Sequence, residues 1–178
     1  CAMTSLFRQL LGDALDRVPA PVRALHETPL PHRFEGEAQM RAASNWLARL
    51  AARITGLPRH EGHVAMAITI EHEGDGERWT RHFPPSPFVS RLWPRDGLLC
   101  ERLGTSDIRF RLHADGDGIV WEPVALRVLG FLPMPAFLLC GVKARDGVDA
   151  LGRYTFNVEA RFPLIGSVAA YEGWLHVE

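Results

Sequence analysis

Arginine side chains recur along the part of the chain in which polar and apolar residues alternate, and glutamates lie between them. A guanidinium group is suited to bidentate contacts with a carboxylate or a phosphate. The residues concerned are Arg78, Arg81, Arg91, Arg102, Arg109, Arg111 and Arg127, with Glu77, Glu101 and Glu122. One interpretation is a ladder of cross-strand Arg–Glu pairs on a solvent-facing sheet. The other is that Arg78, Arg81, Arg109 and Arg111 point into a cavity and hold the anionic head group of a ligand.

Aromatic residues are spread over the same region, and most of them must belong to a hydrophobic core. A β-barrel of about eight strands or more can nevertheless keep an apolar cavity for one small ligand. We therefore take Trp79, Phe110, Trp121 and Trp174 as candidate walls of a ligand-binding cavity. The connection 130–139 is unusually apolar, which makes it a lid, a partner surface, a membrane-touching rim or a cap on the core.

Carboxylates and a histidine on the same strands allow a second hypothesis, an enzyme that uses acid–base chemistry. A general acid or base needs a buried side chain with a shifted pKa. The candidates are Glu77, Glu101, His113 and Glu172. The chain contains no glycine-rich phosphate-binding motif and no GxSxG, HExxH or CxxC motif, so no standard nucleophile, metal or nucleotide site is recognisable.

Two short clusters resemble metal sites only in part. His60 and His63 are three residues apart in a loop, with no further ligand at a recognisable offset. Asp75 and the run 115–118 resemble calcium loops, but Leu126 stands where an EF-hand needs glutamate. Solvated loop histidines and ordinary turn chemistry explain these residues, and we expect neither a metal nor another cofactor.

Composition argues against several classes of protein. The 178 residues include 20 basic and 21 acidic side chains, so the basic stripe of a nucleic-acid-binding protein is missing. No apolar run approaches the length of a membrane span. Cys1, Cys100 and Cys140 are too few and too far apart for a disulfide framework, which favours a reducing, cytoplasmic location. Met3 is the expected native start after a cloning remnant, and the mature end of a lipoprotein is the alternative.

Hydrophobic periodicity predicts the elements that position these residues. Helices are predicted near 5–18 and 45–55, with a strand at 33–40 between them. From about residue 63 to the C-terminus only strands and turns follow. Their regular spacing predicts one domain over 1–178, mainly β (α+β). In this fold a curved antiparallel sheet closes into a lipocalin-like barrel, with two N-terminal helices. A helix-grip fold is the alternative.

Five blocks of sequence occur in a familiar order: LFRQLLGDALDRVPAPVRALH, GERWTRHF, ERLGTSDIRFRL, VLGFLPMPAFL and YTFNVEARFPLIGSVAAYEGWL. From Leu6 to Leu175 the chain resembles a bacterial domain family of unknown function, often found C-terminal to a saccharopine-dehydrogenase-like NAD(P)-binding domain. The resemblance implies a cytoplasmic accessory domain that stands alone or is attached to an oxidoreductase, and it carries over no catalytic residues. Where the family tends to have a proline and then an acidic residue, this chain has Cys140-Gly141 and Lys143-Ala144-Arg145.

The leading hypothesis is a module that binds a small hydrophobic, amphipathic or anionic ligand. The predicted ligand-binding residues are Arg78, Trp79, Arg81, Arg109, Phe110, Arg111, Trp121 and Trp174. An acid–base enzyme is one alternative and is less favoured than a protein without catalysis. A protein–protein interaction domain, whose apolar connection docks a partner, is the other.

Overall fold

The computed structural model describes residues 4–55, 61–84 and 86–177, and most of them lie in antiparallel strands. Within these ranges the strands are β1 His32–Arg41, β2 Gly62–Glu73, β3 Gly76–Phe83, β4 Ser86–Arg95, β5 Leu98–Leu103, β6 Ser106–Ala114, β7 Ile119–Val128, β8 Leu132–Pro133, β9 Val142–Val148, β10 Tyr154–Phe162 and β11 Gly166–Leu175. The chain is therefore mainly β from residue 62 onward, as the alternation of apolar residues predicts.

Ten of these strands form a closed barrel. Each strand from β1 to β6 pairs with the next, β6 pairs with β7, β7 with β9, and β9 to β11 continue the ring. The first and last strands close it, from Gly36 opposite Leu175 to Arg41 opposite Ala170. The short β8 pairs with the end of β7. The closed antiparallel barrel expected from the strand spacing is confirmed.

Successive strands run in opposite directions, so their connections gather at two ends of the barrel. The plug end carries the connections 74–75, 96–97, 115–118 and 149–153. The mouth end carries the connections 42–61, 84–85, 104–105, 129–141 and 163–165.

The N-terminal segment begins with a short helix, α1 Leu6–Leu11. Ser5 caps it by accepting a hydrogen bond from a backbone N–H of the first turn. Gly12 has a φ of +54°, which a glycine adopts without steric cost, and the α-helix ends there. A 3-10 helix, Gly12–Arg17, follows. The single helix predicted over 5–18 is therefore divided at Gly12.

The same segment continues as α2 Ala20–Glu27 and packs against β9 and β10 at the plug end. Phe7, Leu15 and Val22 are fully buried in the principal hydrophobic core. Their burial supplies tertiary stabilisation that such short helices lack in isolation. The N-terminal helices thus close one end of the barrel.

The third α-helix of the described residues, α3 Trp46–Thr55, joins β1 to β2 at the mouth end and agrees with the helix predicted near 45–55. A further 3-10 helix, Ala136–Gly141, precedes β9. Ala48 and Ala52 are fully buried and form a small separate cluster with Val168 of β11. The predicted helix-stop residues after α3 fall in 56–60, outside the described residues.

Candidate ligand-binding site

A cavity of about 130 Å³ lies inside the barrel, and its wall is mainly apolar. The apolar and aromatic lining residues are Met66, Ile68, Trp79, Leu103, Ile108, Phe110, Trp121, Leu126, Val142, Ala144, Tyr154, Phe156, Val158, Ala160, Phe162 and Tyr171. Polar side chains on the wall include Arg81, Glu101, Ser106 and Asp146. The lining reaches from the strand ends near the mouth to the aromatic residues beneath the N-terminal helices.

Four of the eight predicted ligand-binding residues line this cavity. Trp79 and Arg81 come from β3, Phe110 from β6 and Trp121 from β7. The Trp121 ring contacts the other two aromatic rings: its centroid lies 6.1 Å from that of Trp79 and 5.5 Å from that of Phe110. The three rings form a continuous aromatic part of the wall.

The other four, Arg78, Arg109, Arg111 and Trp174, are not among the cavity-lining residues. Each is the immediate neighbour of an inward-facing residue, and successive side chains on a strand point to opposite faces. Arg78 and Arg111 are exposed. The Trp174 ring packs beneath the guanidinium group of Arg153, 4.1 Å from its carbon to the ring centroid. A role in ligand binding stays a prediction for all eight residues.

Arg81 brings a charge into the cavity wall together with its partner. Its Nη1 donates to Ser90 Oγ at 2.8 Å, and its Nη2 donates to Glu101 Oε1 at 3.3 Å. The guanidinium carbon also lies 5.4 Å from the centroid of the Trp79 ring. Burial works against the charge, but the neighbouring carboxylate of Glu101 favours it, and the pKa of Arg81 is raised. The wall therefore holds a cation and an anion that neutralise each other.

Ser106, at the start of β6, presents a different kind of polar group. Its side-chain oxygen is buried and has no hydrogen-bond partner among the described residues. The residue is 3% exposed and lines the cavity opposite Leu103. A buried hydroxyl without a partner costs about 1–3 kcal/mol. This hydroxyl is available to a polar atom of a molecule inside the cavity.

Asp146 of β9 accepts hydrogen bonds at the plug end of the wall. The Trp121 Nε1 donates to Oδ2 at 3.0 Å, and the Tyr154 hydroxyl donates to Oδ1 at 2.8 Å. The His26 Nε2 lies 3.0 Å from Oδ2, and its imidazole stacks on Phe7 with centroids 3.6 Å apart. The carboxylate therefore ties three strands of the barrel to the N-terminal helices.

No sequence motif marks His26 or Asp146 as members of a site. Asp146 shares the inward-facing positions of β9 with Val142 and Ala144. A single acidic residue among alternating apolar residues was therefore the one signal in the sequence that could have marked it as buried. His26 lies four residues after Val22, on the buried face of α2. Neither signal says that the two side chains meet.

The chain has two tyrosines, and both line the cavity. Burial raises the pKa of Tyr154 well above its ordinary value, and the neighbouring Asp146 raises it further. Burial also raises the pKa of Tyr171. Both phenols are therefore protonated at neutral pH, which makes Tyr154 a donor to the carboxylate.

The four residues proposed for acid–base chemistry do not form one site. Glu77 is buried and accepts a hydrogen bond from Trp79 Nε1 at 2.8 Å. Glu101 lines the cavity and is paired with an arginine. His113 and Glu172 are exposed on the surface of the barrel. The structure thus brings one of the four, Glu101, to the cavity.

The residues considered as partial metal sites behave as surface and turn residues where they are described. His60 lies outside the described residues, so the predicted pair with His63 cannot be placed. Hydrogen bonding to Arg145 lowers the pKa of Asp115, and an Arg145 nitrogen lies 2.7 Å from its carboxylate. Across 4–55, 61–84 and 86–177, no group of three or more His, Cys, Asp or Glu side chains is placed to hold a metal ion.

Large apolar side chains are exposed mainly at the mouth end, and we call this set the apolar rim. The apolar rim consists of Trp46, Leu47, Leu50, Ile54, Leu129, Phe131, Leu132, Phe137 and Leu164. The connection 130–139, unusually apolar in sequence, contributes Phe131, which is 75% exposed, while its Leu139 is buried. Among the described helices, none has the length and apolar character needed to cross a membrane.

Comparison with known families gives one match that covers most of the chain. The model of a family described as a domain of unknown function, DUF4166, matches residues 18–175. The matched span includes α2, α3 and every strand of the barrel. No curated protein matches the chain.

Proposed function

This chain belongs to the DUF4166 family of domains of unknown function, and from the geometry of its interior we propose that it binds one small hydrophobic or amphipathic molecule. The observation that carries the proposal is an apolar cavity with an unpartnered hydroxyl, that of Ser106, in its wall. Close-packed interiors contain few voids larger than a water molecule, so a cavity of this size is a feature to be explained.

The size of the cavity limits the molecule. An apolar cavity of about 150 Å³ in another protein stays dry and binds benzene. At about 130 Å³, the barrel interior suits a molecule with one ring or a short alkyl chain. Trp79, Phe110 and Trp121 supply flat apolar surface for either.

The polar groups of the wall favour a molecule with one polar end. Arg81 and Glu101 neutralise each other, so the wall presents no uncompensated charge at this pair. The Ser106 hydroxyl can donate to or accept from a ligand atom, and it lies on the same face of the sheet as Glu101. An alcohol or a protonated acid with an apolar tail satisfies both the hydroxyl and the walls.

The first test is native mass spectrometry of the purified protein, followed by titration with straight-chain alcohols from butanol to decanol. Quenching or enhancement of tryptophan fluorescence reports binding, because Trp79 and Trp121 form part of the wall. We expect saturable binding to one site per chain. Failure of every alcohol to bind near its solubility limit would overturn the proposal.

A matched pair of variants locates the binding site. Ala144 lines the cavity, so Ala144→Leu fills part of it and should abolish binding. Ala65 of β2 is exposed, and Ala65→Leu adds the same volume outside the barrel. Equal binding by the two variants would place the alcohol elsewhere.

A third variant, Ser106→Ala, tests the polar contact. It should weaken the binding of an alcohol by about tenfold, the loss of roughly one hydrogen bond. An alkane of equal length lacks the polar atom, and its affinity should stay unchanged. An equal loss for both compounds would show that Ser106 shapes the cavity rather than binding the hydroxyl of the ligand.

An accessory role beside an NAD(P)-binding domain of a cytoplasmic oxidoreductase is a further part of this proposal. Its support is the resemblance of the sequence blocks described above. This role is tested by purifying the protein from its native host. Mass spectrometry then identifies any further domain on the same chain and any protein that co-purifies with it. Recovery without any NAD(P)-binding partner would count against it.

A further inference from the structure

Helix α3 turns its small residues toward the barrel and its bulky apolar residues outward, the reverse of the usual arrangement in a surface helix. Its small residues Ala48 and Ala52 face the barrel and are fully buried. Trp46, Leu50 and Ile54 follow one another at intervals of four residues and form an exposed face. Trp46 is 66% exposed. A surface helix normally turns its bulky apolar side chains toward the core, and an exposed apolar face of this kind is typical of an interaction surface.

Both ends of α3 are fixed to the mouth of the barrel. Asn45 caps the helix by accepting from the Ala48 N–H at 2.9 Å, and its side-chain amide donates to the Ile165 carbonyl at 2.8 Å. At the other end the Thr105 hydroxyl donates to the Ile54 carbonyl at 2.8 Å. These anchors lie in the β10–β11 and β5–β6 connections, on different sides of the ring. The helix is therefore held in place with its bulky face pointing away from the barrel.

Two other connections extend this apolar surface. The connection 129–141 contains no charged residue and exposes Phe131 and Phe137. Its Gly130 N–H donates to the Thr105 carbonyl at 2.8 Å, so it adjoins the end of α3. Leu164, in the β10–β11 connection beside Asn45, is 100% exposed.

The charges at this end are nearly all positive. Arg49 and Arg53 are exposed on α3, and neither forms an ion pair with another described residue. Glu61 is the one acidic residue in the sequence of the mouth-end connections. Each of the four plug-end connections, by contrast, carries at least one aspartate.

We propose that the mouth end docks on the surface of an anionic lipid bilayer, with α3 lying in the plane of the interface. A helix with Trp and Leu on one face and flanking arginines is typical of interfacial binding, because the apolar face enters the headgroup boundary while the cations meet anionic lipids. Arg49 and Arg53 supply the charge complementarity. The connection 129–141 and Leu164 add apolar side chains that enter the same boundary.

A second copy of the chain fits this surface less well. A two-fold interface places the same patch of each copy against the other. The arginines of both copies, Arg49 and Arg53, would then be gathered in one interface, to which the mouth-end connections of each copy supply a single acidic residue, Glu61. A bilayer with anionic headgroups has no such conflict. The docking surface does not depend on what occupies the cavity.

The experiment is flotation of the full chain with vesicles of phosphatidylcholine alone or of phosphatidylcholine with phosphatidylglycerol. We expect flotation with the anionic vesicles, weakening as salt is added. Fluorescence of Trp46 should shift to the blue on binding, and lipids brominated near the headgroup should quench it. Absence of flotation with anionic vesicles would overturn the proposal.

Variants separate the apolar and the cationic contributions. Leu50→Glu and Phe131→Glu should each abolish flotation, whereas Leu151→Glu, at an equally exposed apolar position of the plug end, should leave it unchanged. Arg49→Gln and Arg53→Gln should each weaken binding to anionic vesicles about fivefold. Arg95→Gln, an exposed arginine of the plug end, is the matched control.

Two further outcomes decide between this proposal and its competitors. Concentration-dependent dimers that are disrupted by Leu50→Glu, without flotation, would assign the surface to a second copy and overturn bilayer docking. The variant Ala144→Leu should still float, because it alters the cavity and not the mouth. Flotation of that variant together with lost alcohol binding would show that the two proposals stand or fall separately.

Discussion

The two ends of the barrel are covered by helices in opposite ways. At the plug end the chain covers the barrel with its own helices, buries Phe7 fully and engages His26 with Asp146. At the mouth end it crosses the barrel with one helix whose alanines face inward and whose tryptophan and leucines face outward. The helices of the plug end bury Phe7, Leu15 and Val22 against the barrel, whereas the mouth end presents an apolar surface without a partner among the described residues.

The difference separates two roles of side chains in this protein. Buried polar groups at the plug end affect the stability of the fold, whereas exposed apolar groups at the mouth end are available for binding. A buried carboxylate is tolerated where donors surround it, and Asp146 accepts from both Trp121 and Tyr154. Apolar side chains in water gain nothing for the fold, so the apolar rim contributes little to stability. We therefore expect substitutions at the plug end to change the free energy of unfolding, and substitutions at the mouth end to change binding.

The largest effect is expected for Asp146→Ala. The substitution leaves the buried donors of Trp121 and Tyr154 without an acceptor. At about 1–3 kcal/mol for each unpaired donor, it should lower the free energy of unfolding by about 2–6 kcal/mol. Urea denaturation measures the loss. Asp117→Ala, an exposed aspartate in a plug-end turn, should change it by less than about 0.5 kcal/mol. Similar losses for the two variants would contradict the plug-end description.

An intermediate effect is expected at alkaline pH. The folded-state pKa values of Tyr154 and Tyr171 lie above the unfolded value of about 10, so the folded state holds these protons more tightly. Their contribution to stability is fully present below that pH and is lost as the pH rises further. Tyrosinate absorbance should therefore appear only as the protein unfolds, because the chain has two tyrosines and both are buried.

The control is the same titration in concentrated urea, where both phenols should titrate near their ordinary pKa. A folded protein in which tyrosinate forms near pH 10 would contradict the burial of these two side chains.

The smallest effect is expected for the apolar rim. Phe131→Ala should change the free energy of unfolding by less than about 0.5 kcal/mol, because the ring is already in water. Phe7→Ala provides the reference at the plug end and should cost about 3–5 kcal/mol, because that ring is fully buried. Urea denaturation of both variants measures the same substitution, phenylalanine to alanine, at the two ends of the barrel. A large loss for Phe131→Ala would show that its ring packs on the protein in solution.

Alternation of apolar residues was sufficient to predict the barrel, because each strand repeats one simple pattern. The prediction of cavity residues was limited by the same pattern. Arg109, Phe110 and Arg111 are consecutive, so they cannot all face the cavity, and composition alone does not say which parity is inward. The structure turns Phe110 inward, and the bulge between Arg109 and Phe110 shows that the register shifts there.

The polar cluster at the plug end could not be predicted because it is a contact between distant segments. Asp146 stands between Arg145 and Gly147, a context that resembles turn chemistry. Its partner His26 belongs to a helix 120 residues earlier. Local periodicity reports which face of each element is buried, but it carries no information about which two buried faces meet.

The pairing of β1 with β11 has a consequence for the order in which the interior forms. Around most of the ring each strand pairs with a neighbour in sequence, so these hairpins require only short loops to close. The seam between β1 and β11 joins the first strand to the last, and its formation must overcome the entropy of the longest loop in the barrel. During synthesis, the barrel therefore cannot close until β11 has left the ribosome, because β1 lacks its second partner strand until then.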